Sequence, residues 1–359
     1  MKRATRRGVG RLAYLGLVLA GLLTAGCPKE TEVITKTGDD VPKADVDADP
    51  LALLPSGAVG MLVIDAKAFY ASEFGQDLER IVSQRAPVPP AAGFDVKRDL
   101  ETLYIGIYSM SGLDMAAAAT GTFNAAAIEA AADGVTDTPL GAPLVKQSYA
   151  GRNLYVSRNV GFAILSQRTA VFGNETGIRR VLDRISDGLV ERAVPSYMGD
   201  LLSAGAGTPA GAPLALGFDL KDQDVVSAAV GQFPFLDGIQ SARALGNFES
   251  PGMHLAGTSV YDTEEQAKAG TASLLGMSEL LQSVGWLTAL LGISNPVRKL
   301  EAQAEGKESK FVAAIDGAAL SALLDRFGGF LGVPPQPKVI KATTSPGLVD
   351  DNPPKGGAK

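Results

Sequence analysis

One cysteine, one histidine and one tryptophan stand in 359 residues. The lone Cys27 forbids an intrachain disulfide, and with the lone His254 it forbids zinc sites built from several His or Cys ligands. His254 has no Cys nucleophile for a partner, since Cys27 stands at the end of the N-terminal apolar run, and no G-x-S-x-G supplies a serine instead. His254, on a strand-like stretch beside Met253 and Leu255, reads as a residue facing solvent or a hydrogen bond. A phosphate loop is missing too: Gly306-Lys307 lacks the earlier glycine and the following Ser or Thr. Gly205-x-Gly207-x-x-Ala210 matches the dinucleotide fingerprint only in letters. Pro209 interrupts it, a helix precedes it and a strand follows it, so no helix N-terminus meets a phosphate. Asp45, Asp47 and Asp49 alternate as at the start of a calcium loop, but Pro50 and Ser56 stand where the loop needs Gly and Glu. Metal and cofactor sites are therefore not expected. Excess basic charge is also lacking: the net charge is −6, which argues against a nucleic-acid partner.

What is present begins at the N-terminus. "MKRATRRGVGR" holds five basic residues and no acidic one, and "LAYLGLVLAGLLTA" is free of charge. A basic head, a short apolar run and small residues make a secretory signal over residues 1–26, too short to span a bilayer. The run ends at Thr24-Ala25-Gly26-Cys27, and the sequence turns polar at once. This stretch resembles the lipobox of bacterial lipoproteins, with Thr24 where leucine is usual. The resemblance implies cleavage before Cys27, acylation of its sulfur and anchoring in the cell envelope. With Pro28 rather than Asp next, it implies the outer membrane, facing the periplasm or the cell surface. Cleavage takes the net charge from −6 to −11, so membrane contact would come from the acyl chains. Arg6-Arg7 lacks the bulky apolar pair of a twin-arginine signal, so general export is expected.

Residues 27–51 read as an acidic tether and 333–359 as a disordered tail rich in Pro, Gly and Lys. Between them the body reads as two similar α+β lobes, 52–192 and 193–332, each a mainly antiparallel sheet packed with helices. Three pairs of segments recur in one order: "VIDAK" (63–67) with "GFDLK" (217–221), "ATGTF" (119–123) with "LAGTS" (255–259), and "GIRRVLDRI" (177–185) with "ALSALLDRF" (319–327). Fixed-order self-similarity marks an internal duplication. The repeated Asp65 and Asp219 sit where helix N-caps are expected, and Asn174 is the N-cap expected before the 177–185 stripe.

One stretch stands apart. Between Lys268 and Arg298 the only charge is Glu279. The spacing predicts a helix over about 263–291, with Leu274, Met277, Leu281, Val284, Leu287 and Leu291 on one face and Trp286 beside it. Such a stripe is either core or a surface for a lipid or a partner helix. Three functions follow: an envelope lipoprotein of non-enzymatic, protein-binding or structural role; a carrier of a lipid or other apolar ligand in the second lobe; or a hydrolase using paired carboxylates, which need no local motif.

Overall fold

The period-two stretches meet edge to edge in one antiparallel sheet, twelve strands wide among the described residues. This computed structural model describes residues 42–72, 75, 79, 88–111, 114–202, 211–283 and 295–322. The strands are β1 (Gly60–Asp65), β2 (Leu100–Ser109), β3 (Asp114–Gly121), β4 (Val145–Tyr149), β5 (Arg152–Ser157), β6 (Val160–Ile164), β7 (Thr169–Asn174), β8 (Leu214–Asp219), β9 (Ile239–Asn247), β10 (Gly252–Tyr261), β11 (Val297–Glu305) and β12 (Glu308–Asp316). They lie in the order β11-β12-β10-β9-β8-β1-β2-β3-β7-β6-β5-β4. The helices include α1 (Lys43–Ala48), α2 (Ala66–Ala71), α3 (Ala125–Ala132), α4 (Glu175–Ser186), α5 (Asp224–Ala229) and α6 (Glu264–Ser283). The expected mixture of helices with a large antiparallel sheet is thus present.

The sheet is continuous through its middle. β1 pairs with β8, with Leu62 opposite Leu216, Gly60 opposite Phe218 and Ile64 opposite Leu214. Moving outward from this junction, one side runs β1-β2-β3-β7-β6 and the other β8-β9-β10-β12-β11. The order repeats, with the β4–β5 hairpin added on the first side alone.

The largest core lies on one face of the first half. Ile178, Val181, Leu182 and Ile185 of α4 pack there on Ala116 and Ala118 of β3 and on Val171 of β7. Burying each such aliphatic side chain contributes about 1.5–3 kcal/mol. Alanine is a poor strand former, yet Ala116 to Ala119 form the buried heart of β3. Close approach explains it: a Cβ on Gly177 of α4 would lie 2.1 Å from the Met115 carbonyl oxygen. Asn174 caps α4 as expected. Its Oδ1 accepts from Gly177 N at 3.3 Å and from Met115 N at 2.9 Å, which ties the cap to the neighbouring strand. The opposite face holds a second core, where Tyr155 and Phe162 stack 5.2 Å apart over Ile128 of α3.

The expected tether gives way to structure before residue 51. From Pro42 the chain is laid on the first half as a strap. Val46 of α1 is buried, and so are Leu51, Leu53 and Leu54. Asp47 Oδ1 accepts from Thr169 Oγ1 at 2.6 Å and from Ser166 Oγ. Asp49 Oδ2 meets Arg192 Nε at 2.5 Å. Arg184 Nη2 donates to Ala52 O at 3.3 Å, and Tyr108 and Tyr197 donate to the carbonyls of Pro55 and Ala58. Burial pushes both tyrosine hydroxyls well up, so they remain protonated donors. Two aspartates of the acidic run, Asp47 and Asp49, thus hold the strap in place.

Candidate functional site

Two places in the second half present apolar surface without an obvious structural use. The first is the outer side of α6. Its inward line is Ala267, Gly270, Thr271 and Ser278, all buried and all small. Small residues are needed because the helix lies close to the sheet. A Cβ on Gly270 would fall 2.5 Å from the Tyr261 hydroxyl oxygen. Thr271 Oγ1 reaches Ser309 Oγ of β12 at 2.6 Å and donates back to Ala267 O at 2.8 Å, so the buried hydroxyls are satisfied.

The expected stripe and this inward line therefore share no residue. Leu274 and Met277 are half-buried, Leu275 likewise, and Leu280 is 60% exposed. Leu281 belongs to the last turn of the helix. Val284, Trp286, Leu287 and Leu291 lie outside the described residues, as does Cys27. No helix among the described residues is long and apolar enough to cross a membrane.

The second place is a cleft of about 550 Å³ beside the junction of the halves, between Ala68 of α2, residues 211–213 and strands β9, β10 and β12. Its wall carries Leu245, Phe248, Ala256 and Val312, and the chain's one histidine. Phe248 is fixed edge-on to Phe69 of α2, 5.2 Å between ring centres. His254 Nε2 lies 3.0 Å from Ser250 O. A carbonyl only accepts, so Nε2 carries the proton in that bond. This is the hydrogen-bonded strand histidine expected from the sequence. Sequence reading missed the cleft itself, because its walls come from segments far apart in the chain.

Several carboxylates have structural partners. Asp65 Oδ1 accepts from Ala68 N at 2.9 Å, the expected N-cap of α2. Asp219 Oδ1 instead closes a turn onto Lys221 N at 3.2 Å, since α5 begins five residues later. Asp99 is gripped by Arg98 at 2.7 Å, and this bond holds its carboxyl below the usual range. Asp183 accepts from the Tyr149 hydroxyl at 3.1 Å, and burial raises its carboxyl. Among the described residues no three His, Cys, Asp or Glu side chains converge as a metal group.

No family model matches the chain, and no curated protein does. Solved structures do. Crystal form I of TP0453 superposes with a TM-score of 0.50 at 14% identity, covering 78% of this chain and 97% of that one. Form III gives 0.48 at 12%, covering 77% and 97%, and form IV 0.46 at 11%, covering 77% and 96%. At 14% identity the match to form I is a likeness of fold, and this chain shares that fold along most of its length.

Proposed function

We propose that this chain is a lipid-anchored, non-enzymatic protein of the bacterial cell envelope that binds another protein. Acyl chains on Cys27 would hold it in the outer membrane, facing the periplasm or the cell surface. One observation carries the reading: the only cysteine stands between an apolar export signal and a polar stretch, at the end of Thr24-Ala25-Gly26. The engagement of Asp49, Asp65, Asp99 and Asp219 in caps, turns and ion pairs is in keeping with the non-enzymatic part. The strap supports anchoring. It begins at residue 42, 15 positions after Cys27, which keeps its start within about 50 Å of that residue at full extension.

Expression of the full chain in a Gram-negative host tests this. The mature N-terminal peptide is expected to begin at Cys27 with the added mass of diacylglyceryl and acyl groups. The Cys27→Ser variant is expected to stay uncleaved and unacylated. An unmodified N-terminus, or unchanged processing of the variant, would overturn it. Cross-linking in intact membranes, followed by mass spectrometry, then reads out the protein partner.

The outer side of α6 favours a second reading, a carrier of a lipid or other apolar ligand in the second half. Small residues make the inward contacts, while Leu275 and Met277 are half-buried and Leu280 is 60% exposed on the outer side. Native mass spectrometry of the purified chain would detect co-purified lipid.

We further infer that the two halves arose by duplication. The support is the repeated strand order and the β1–β8 register. That register places Leu62 and Leu216, equivalent in the 63–67 and 217–221 alignment, directly opposite each other.

A further inference from the structure

The two halves of the sheet are dressed unequally. On the first half, α4 covers its face so well that Ile178, Val181, Leu182 and Ile185 are each 0% exposed. The corresponding face of the second half lies open. Ala116 of β3 stands opposite Gly173 of β7, and Ala256 of β10 stands opposite Val312 of β12. Ala116 is sealed, whereas Ala256 is exposed and Val312 is 48% exposed. Both line the cleft that holds His254.

The segment that leaves β12 has the chemistry of α4. Asn174 ends β7 and caps α4 through Gly177 N; Asp316 ends β12 and accepts from Ala319 N at 2.7 Å. Measured from each cap, the apolar positions coincide: Ile178, Val181, Leu182 and Ile185 after Asn174, and Leu320, Leu323, Leu324 and Phe327 after Asp316. The charged pair follows at the same distance, Asp183-Arg184 and Asp325-Arg326. The helix has already begun. Residues 317–322 are helical, Ala319 is buried, and Gly317 N donates to Pro251 O at 2.6 Å beside the start of β10. The described residues end at 322, while the chain runs on to 359 from the border of the open face.

We propose that residues 317–331 form the counterpart of α4 and dock on this face, with Leu323, Leu324 and Phe327 covering Val312, Ala314 and Ala256 and filling the cleft beside His254. Spacing selects this occupant. An apolar stripe at three- and four-residue intervals matches a flat, small-residue sheet face, and the cap fixes where the helix starts. The cleft is then an internal contact rather than a ligand site, independently of the anchoring reading.

Disulfide mapping in the full chain tests this. The Cys27→Ser background holds no other cysteine. Val312→Cys is combined in turn with cysteine at 320, 323, 324 or 327 on the stripe, and at 322, 325 or 326 off it. Intramolecular cross-links confined to stripe positions are expected, because a disulfide needs Cα atoms within about 7 Å. Cross-links absent throughout, equal at every position, or formed only between chains would overturn the proposal. Hydrogen exchange on the unsubstituted chain gives a second readout. Amides of 323–331 are expected to exchange roughly 100-fold more slowly than those of 345–359, as docked helices do. Equal rates would overturn the proposal as well.

Discussion

Two aspartates show how single side chains hold this chain's margins in place. Asp47 sits at the start of the strap and accepts from two hydroxyls, those of Ser166 and Thr169. Thr169 is fully buried, so removing the acceptor strands its hydroxyl. Asp47→Ala is expected to cost about 1–3 kcal/mol, the penalty for an orphaned buried partner. A lowered urea midpoint and faster proteolytic cleavage within residues 42–54 would check it. Asp316 acts at the other margin. The Ala319 N–H that donates to it holds its carboxyl below the ordinary 3.8, and Arg298, at 2.7 Å, adds to the effect. The folded chain thus binds this proton more weakly than the unfolded chain. Its stabilising contribution is complete above about pH 4 and is lost as pH falls through the folded value. Asp316→Asn is expected to flatten the acid limb of stability below roughly pH 4. Urea midpoints of both chains from pH 2.5 to 7 would measure it, and parallel curves would count against the assignment.

The elements were legible wherever the signal is local. Leu154 and Val156 in β5, and Phe162 and Ile164 in β6, alternate at period two and form a meander at those positions. Gly306 turns the β11–β12 hairpin with a φ of 58°, which a glycine adopts without strain. The strap was hidden because its apolar residues follow no period and its charges resemble those of a solvated linker. The inward line of α6 was hidden for the opposite reason: leucines suggested the buried face, but a tight fit selected Ala267, Gly270 and Thr271. This yields a paired prediction. Gly270→Ala drives a methyl group into the Tyr261 ring and is expected to cost about 1–3 kcal/mol through overpacking. Leu280→Gln, on the exposed side, is expected to change stability by less than about 0.5 kcal/mol. Thermal melts compare the two. If the outer side of α6 serves an apolar ligand, Leu280→Gln is also expected to lower the amount of lipid that co-purifies, with the melt unchanged.

At the scale of the whole molecule the question is whether the halves act as one body. The sequence reads as two separate lobes, 52–192 and 193–332. Nothing local announces that β1 and β8, 154 residues apart at Leu62 and Leu216, pair with each other. Their ladder makes β1 an interior strand, bonded on both sides. The core crosses the same line: Ala215 and Leu245 of the second half join the cluster that holds Leu53 and Ile178 of the first. Peeling the halves apart would expose that core and strand the β1 and β8 ladder groups, so partial unfolding at the junction is costly. One cooperative transition is therefore expected, with peptides from β2–β7 and from β8–β10 losing hydrogen-exchange protection at the same urea concentration. Leu216→Pro removes an N–H from an interior strand and is expected to separate the two midpoints. Should the variant fail to fold, the unsubstituted chain alone still decides. Two midpoints there would mean that the β1–β8 ladder does not couple the halves, and that each stands on its own core.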